Sequence, residues 1–560
     1  MRELEIYIHI PFCVRKCGYC DFLSAPAKRE QRDRYVRTLL EEIRGGAPVS
    51  ALPHFMHRAG QGDLRLKPHP ARAGRIGERS VPLSDHTDRV RNYSSLCWTR
   101  PGADYIVSSV FFGGGTPSLL PALQIAEILD ALRARFHFSD HAEITIECNP
   151  GSLDSRLLGA QECREGVSNE YNPGSFTNSF VRERERKNEE EMEAYLACGI
   201  NRISFGLQSA NDAELAALGR IHTFETFLRS YESARNAGFT NINVDLMSAL
   251  PGQTVESWKT TLRQVRSLAP EHISAYSLII EEGTPFFEKY HEDDLRRADG
   301  EQPQFLPSEE EERQMYALTE QMLAEAGYVH YEISNYALPG YECRHNIGYW
   351  RGTEYMGFGL GASSLLRSLP ADSECAVTKN RDGVQPCPDG SSKTNAGIGA
   401  DKQKKIQEIK KAYAAGSVRC KNPIDHTEYE RLVRSKKQYG AGEPDACDSD
   451  MDRSDLNDSD KDKSASGGNA SRPSAFDEET FQLLSINDEM SEFMFLGLRM
   501  LSGVSEKEFF ARFGVRIDTV YGEALERLVS LKLLRWENGR IVLTRRGLNL
   551  SNPVMAEFLL

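Results

Sequence analysis

At 560 residues, 40% of them hydrophobic and 27% charged, the chain is long enough for two to four domains of about 150 residues. No run approaches the roughly 18 apolar residues of a transmembrane helix, Met1-Arg2-Glu3-Leu4 opens no signal core, and twelve Cys are too sparse for a disulfide scaffold, which together read as cytoplasmic. A net charge of −14 argues against a general nucleic-acid binder.

Ile6, Ile8 and Ile10 alternate with Tyr7 and His9, the period of a strand, and Val36, Leu39, Leu40 and Ile43 then recur at helical spacing. The pattern goes on to predict a strand over 105–112 and a helix over 120–135. Further pairs follow: strand 143–147 and helix 190–198, strand 202–208 and helix 223–237, strand 242–247 and helix 254–268. A last strand covers 272–278. Six strands with helices between them predict an α/β fold with a parallel sheet and right-handed crossovers. Six units suit a partial (βα)6 barrel better than a closed eightfold one. Polar or Gly-rich signals follow the strands, so the chemistry is expected at the rim formed by their C-terminal ends.

Three stretches interrupt this order: 45–104, 155–188 and 368–475. Their composition cannot bury enough apolar surface to offset chain ordering, so they read as insertions, the last largely disordered. Within it Ile406, Ile409, Tyr413, Tyr429 and Leu432 mark expected helices. The barrel and its last segment then occupy 1–44, 105–154 and 189–367. Residues 476–560 read as a winged-helix-like α+β domain. Phe493, Phe495, Leu496 and Leu498 begin one helix there, Phe509-Phe510 lies in a second, and 520–531 forms a third. A hairpin over 534–543 turns at Glu537-Asn538-Gly539. Lys532, Arg535, Arg540, Arg545 and Arg546 give it a local positive excess, which raises a DNA-binding regulator as a third reading. Winged-helix shape is more often a docking module, and fold alone does not establish function.

Cys13-Val14-Arg15-Lys16-Cys17-Gly18-Tyr19-Cys20 directly follows the first strand. Three thiols within eight residues of loop can converge on one centre, and soft thiolates select zinc or an iron–sulfur cluster. Structural zinc wants four closed ligands, and no fourth Cys or His lies nearby at finger-like spacing. The segment resembles the radical S-adenosylmethionine superfamily, in Cys13-x3-Cys17-x2-Cys20 and in aromatic Tyr19. The resemblance implies a [4Fe–4S] cluster on Cys13, Cys17 and Cys20 with one iron left open for S-adenosylmethionine.

Longer matches narrow the resemblance. Tyr7-Ile8-His9-Ile10-Pro11-Phe12, Phe112-Gly113-Gly114-Gly115-Thr116-Pro117, Arg202-Ile203-Ser204-Phe205-Gly206-Leu207-Gln208, Leu218-Gly219-Arg220 and Asp245-Leu246-Met247 are similar to one subfamily. It holds the oxygen-independent coproporphyrinogen III dehydrogenases and the heme chaperones of HemW type. By position, the resemblance implies that Tyr7, Gly114, Gly115, Thr116, Glu147, Gln208, Arg220 and Asp245 contact S-adenosylmethionine, with Tyr19 holding it beside the cluster. No catalytic residue is assigned.

Two features separate the siblings. The dehydrogenases carry a further Cys two residues after the third cluster ligand, where this chain has Phe22. His345-Asn346-Ile347-Gly348-Tyr349-Trp350 matches the HNxxYW motif of the chaperones. His345 offers an imidazole for heme iron, Tyr349 and Trp350 offer flat faces for a porphyrin, and Asn346 joins them in the motif. Cys343 is an alternative iron ligand. The expected function is binding of heme, cluster and S-adenosylmethionine, with transfer of heme to acceptor proteins such as respiratory enzymes. The alternative is the radical oxidative decarboxylation of propionates. A reductant such as flavodoxin or ferredoxin is implied, and a homodimer is compatible with the resemblance.

Overall fold

The computed structural model describes residues 1–45, 105–153, 178–367, 417–439 and 481–560. In strand β1 (Arg2–Ile10), Leu4, Ile6, Ile8 and Ile10 are fully buried in one core with Val36, Leu39 and Ile43 of helix α1 (Arg29–Gly45). Glu5, Tyr7 and His9 therefore point to the opposite face, inside the curved sheet. The same alternation repeats through β2 (Tyr105–Gly114), β3 (His137–Cys148), β4 (Arg202–Gln208), β5 (Ile242–Ser248) and β6 (His272–Ser277). These six strands pair in sequence order, all parallel. Helices α2 (Ala122–Arg135), α3 (Asn178–Cys198), α4 (Phe224–Asn236) and α5 (Val255–Ser267) make the crossovers. Thr223 and Thr254 start α4 and α5 by accepting hydrogen bonds from the N–H groups of Thr226 and Ser257. The expected order of six strands and their helices holds.

The sheet continues beyond these six on both sides. Next to β6 lies β8 (Asn335–Ala337), antiparallel, and then β7 (Val329–Glu332). On the other side β9 (Glu354–Phe358) adds a seventh parallel strand against β1. Strands β10 (Ser363–Arg367), β11 (Ser417–Lys421) and β12 (Phe481–Leu484) follow antiparallel, giving twelve strands among the described residues. Helix α6 (Arg344–Arg351), which carries the HNxxYW residues, lies across the inner face at the N-terminal ends of the strands. Glu143 of β3 accepts hydrogen bonds from the N–H groups of Arg344 (3.1 Å) and His345 (3.3 Å). Gly348 sits against the Glu5 carboxylate with no room for a Cβ.

Residues 417–439 lie inside the stretch expected to be largely disordered, yet β11 is part of the main sheet. Helix α7 (His426–Tyr439) follows it and buries Tyr429, whose hydroxyl donates to Glu42 of α1 (2.6 Å). The helix expected around Tyr429 and Leu432 is thus present. The rest of 368–475 lies outside the described residues, as do 46–104 and 154–177.

The C-terminal region builds its own core around Met494, Phe509, Phe513, Tyr521, Leu525 and Ile541. Its first helix, α8 (Ile486–Gly497), opens at a Ser485/Asp488 capping box, so Phe493, Phe495 and Leu496 close that helix and do not begin it. Helices α9 (Glu506–Phe513) and α10 (Ile517–Ser530) follow. Strand β13 (Val504–Ser505) joins the hairpin of β14 (Leu534–Glu537) and β15 (Arg540–Leu543). Asn538 (φ 50°) and Gly539 (φ 73°) make the turn in the left-handed region. The domain is joined to the barrel edge by backbone hydrogen bonds from Ile333 to Arg499 and from Leu501 to Tyr331. Arg545 reaches Glu320 at 3.5 Å.

Candidate cofactor site

The C-terminal ends of the strands open on a cavity of about 320 Å³. The loop after β1 brings Cys13, Cys17, Tyr19 and Cys20 to one wall. Backbone hydrogen bonds tie this loop down, from Gly18 N–H to Leu218 and from Phe286 N–H back to Gly18. Tyr19 packs edge-on to Phe286, ring centroids 6.2 Å apart.

The glycine triplet is there for the backbone. Gly115 donates its N–H to Ile10 (2.8 Å), and a Cβ at Gly115 would stand 2.5 Å from the Phe12 carbonyl oxygen. Gly114 has φ of 112°, lies against the His9 ring and donates its N–H to Glu147 (3.2 Å). Strand β2 therefore ends pressed onto the start of the cysteine loop.

A chain of side chains links two of the thiols. Thr116 donates to Cys13 Sγ (3.6 Å), and Asn149 Nδ2 donates to Thr116 Oγ1 (2.6 Å). Arg220 Nη2 donates to Asn149 Oδ1 and to the Gly206 carbonyl (2.6 Å each), while Nη1 reaches Cys17 Sγ at 3.7 Å. Burial works against the charge of Arg220, but Tyr19 and Cys17 outweigh it and raise its pKa. Its Nε is buried and has no partner among the described residues. Asn149 was not foreseen; it stands two residues past Glu147, in the Asn149-Pro150-Gly151 turn that follows β3.

Across the cavity stand Glu147, Gln208 and Asp245. Burial pushes the Glu147 carboxyl up to about 8, with Asp245 adding to the rise and the Gly114 N–H opposing it. Asp245 is raised as well, burial outweighing the hydrogen bonds from Asn243, Ser274 and Ser204. Gln208 holds φ of 74°, a strained value for a residue with a side chain, and its Oε1 accepts from the Tyr276 hydroxyl (3.1 Å).

The remaining expected residues lie elsewhere. Tyr7 stands on the inner face below the cavity, its hydroxyl 3.0 Å from His9 Nδ1. His345 is 7% exposed at the opposite end of the barrel. Its Nδ1 meets Ser109 Oγ at 2.8 Å and its ring stacks on Phe111, centroids 5.1 Å apart. Burial, then the nearby Arg202 charge, lowers its pKa to about 3. Cys343 is fully buried beside Glu143. Further along α6, Asn346 is half-buried. Tyr349 is exposed and stacks on Tyr355, and Trp350 lies under Arg499, 4.2 Å from guanidinium carbon to ring centroid.

Against known families, the model described as the radical SAM superfamily matches residues 100–265, and the HemN C-terminal domain model matches 484–550. A heme chaperone HemW of Lactococcus lactis is 27% identical over 99% of this chain and 97% of its own length. The heme chaperone HemW of Escherichia coli is 31% identical over 68% of this chain and 74% of its own. The chain belongs to the HemW family. Among solved structures, Escherichia coli coproporphyrinogen III oxidase (HemN), described as a radical SAM enzyme, superposes with a TM-score of 0.57. The match is at 18% identity and covers 100% of this chain and 90% of that one, which shows a shared fold.

The cofactors of this radical SAM family are a [4Fe–4S] cluster and S-adenosylmethionine, and the residues around the cavity fit both. Among the described residues no three His, Cys, Asp or Glu side chains converge as a single metal ion requires. A four-iron cubane does not ask for that, because each thiolate takes a different iron, and Cys13, Cys17 and Cys20 share one wall. The partnerless Arg220 Nε and the two raised carboxyls opposite suit a ligand that carries both a carboxylate and cationic groups. Among the described residues no helix is long and apolar enough to cross a membrane.

Proposed function

We propose that this HemW-family chain is a cytoplasmic heme chaperone that binds heme and hands it to acceptor proteins, with a cluster on Cys13, Cys17 and Cys20 and S-adenosylmethionine in the cavity beside it. When bound, the cluster supplies a one-electron donor next to a sulfonium. Arg220 would orient the ligand carboxylate. Glu147 and Asp245, ionised in the presence of a cation, would hold its ammonium and ribose hydroxyls, and Gln208 and the Gly114–Thr116 backbone would frame the remainder. Tyr19, tied to Phe286, would keep the adenosyl group against the cysteine wall. A reductant of flavodoxin or ferredoxin type would feed the cluster.

The observation that carries chaperone over dehydrogenase is Phe22. It stands 68% exposed on the cavity wall, at the position where the dehydrogenase pattern has a further Cys. The names borne by the Lactococcus and Escherichia relatives support the same reading. A regulator of DNA is disfavoured by the tail itself: Arg535 and Arg540 are paired with Glu537 and Glu508, and Arg545 with Glu320 of the barrel. The test is anaerobic reconstitution followed by heme titration and incubation with coproporphyrinogen III. Stoichiometric heme binding without protoporphyrinogen IX is the expected result, and turnover would overturn it.

A further inference from the structure

The proposed function leaves open where heme sits, and the residue expected to ligate it is walled in. His345 is 7% exposed, stacked on Phe111 and bonded to Ser109, so its imidazole meets a heme only if α6 leaves the barrel. The mouth of the cavity has the opposite character. Val14 (43% exposed), Phe22 (68%) and Ile221 (54%) are large apolar side chains left in water, and all three line the same opening. Scattered singly, such residues need no explanation; gathered on one rim they mark a binding surface.

The rim is also cationic. Arg15 lines the opening and Lys16 follows it in the same loop; both are exposed, and among the described residues neither pairs with a carboxylate. Arg15 leans across the turn that leads to Ile221, its Nη2 3.4 Å from where a Cβ on Gly219 would stand. Free cations beside exposed apolar groups, in a chain of net charge −14, select a flat apolar ligand with anionic arms. A cavity of about 320 Å³ is filled by a nucleoside-sized ligand. A tetrapyrrole is broader, so it is left to the rim.

Resting on the heme-carrier reading, we infer that heme docks across the cavity mouth, its ring face on Phe22, Val14 and Ile221 and its propionates on Arg15 and Lys16. Phe22 then has a positive role where the dehydrogenases place a further Cys: it is the aromatic platform. Attachment through the ring and the propionates does not need the iron, so metal-free protoporphyrin IX should bind as heme does.

The test uses the full-length, cluster-reconstituted protein with hemin and protoporphyrin IX as probes, read by absorbance and fluorescence quenching. Cluster iron content is checked in each variant. Phe22→Ala should weaken both probes about tenfold, or about 1.4 kcal/mol. A double Arg15→Gln/Lys16→Gln variant should weaken them about tenfold and flatten the salt dependence. His345→Ala should stay within twofold of the unsubstituted chain. Unchanged binding by the rim variants, or loss confined to His345→Ala, would overturn the rim site and leave the carrier reading standing. Failure of the unsubstituted protein to bind either probe would remove the carrier reading and the site with it.

Discussion

The two ends of the barrel are built from the same strands and behave in opposite ways. At the C-terminal end, Glu147, Asp245, Gln208 and Arg220 face a cavity, and among the described residues Arg220 Nε has no partner there. At the N-terminal end the inward side chains are just as polar but are covered by α6, and many of them bond to one another, although Glu5 Oε2 and Arg202 Nε have no partner among the described residues. His272 lies between Asn243 Oδ1 (2.6 Å) and the Tyr331 hydroxyl (2.8 Å), Tyr331 accepts from the Cys343 N–H, and Glu143 caps α6. Neither polarity nor an unpartnered atom inside a barrel therefore identifies a site; the opening that exposes those groups to a ligand does.

Substitutions at four positions test that contrast, beginning with the largest expected effect. Cys17→Ser should lose the cluster, because a hydroxyl poorly replaces a soft thiolate; iron and visible absorbance should fall to background after anaerobic reconstitution. Retention of full iron would show that the wall of thiols is not the ligand set. Arg220→Lys keeps a charge but cannot span Asn149, Gly206 and Cys17 together, so S-adenosylmethionine affinity should drop about tenfold or more by calorimetry. An affinity within twofold would separate that network from ligand binding.

At the closed end, His345→Ala should cost about 1–3 kcal/mol of stability in denaturant unfolding while leaving the cluster in place. Its pKa is depressed from about 6.5 to about 3, so the stability it contributes is present above pH 6.5 and is lost as pH falls toward 3. His345→Asn should therefore show a shallower loss of stability between pH 6.5 and 4 than the unsubstituted chain. Parallel curves would show that the ring takes up its proton as readily in the fold as in the unfolded chain. The last position is Glu147. Its raised pKa means that the apoprotein loses stability as pH climbs from about 4.5 through about 8. Glu147→Gln should be the more stable apoprotein at pH 8.5 and indistinguishable at pH 4. A reversed order would place a cation beside the carboxylate.

The barrel was legible because its strands alternate cleanly: Leu4, Ile6, Ile8 and Ile10 could face only a core. The cysteine wall was legible because three thiols at that spacing suit one shared centre, and the glycine triplet because its close backbone approach leaves no room for a Cβ. The closed end was not. Glu5, Glu143, Arg202 and His272 are charged or titratable residues in strands, and only the packing of α6 over them shows that they are buried. Strand β11 was hidden by its neighbours, because averaging over 368–475 dilutes five ordered residues in a Ser-, Asp- and Lys-rich run. The true start of α8 had a usable signal in Ser485-x2-Asp488, which the later aromatic cluster masked.

The placement of β1 bears on assembly. Its two hydrogen-bonded neighbours are drawn from residues 105–114 and 354–358, so neither is available while the Cys13–Cys20 loop is being synthesised. The thiols leave the ribosome on a segment without a partner on either edge, and the long-range pairing that seats them comes late. The first strand is therefore flanked on both sides only once residue 358 has been made, and a truncation ending before residue 354 would leave one of its edges open.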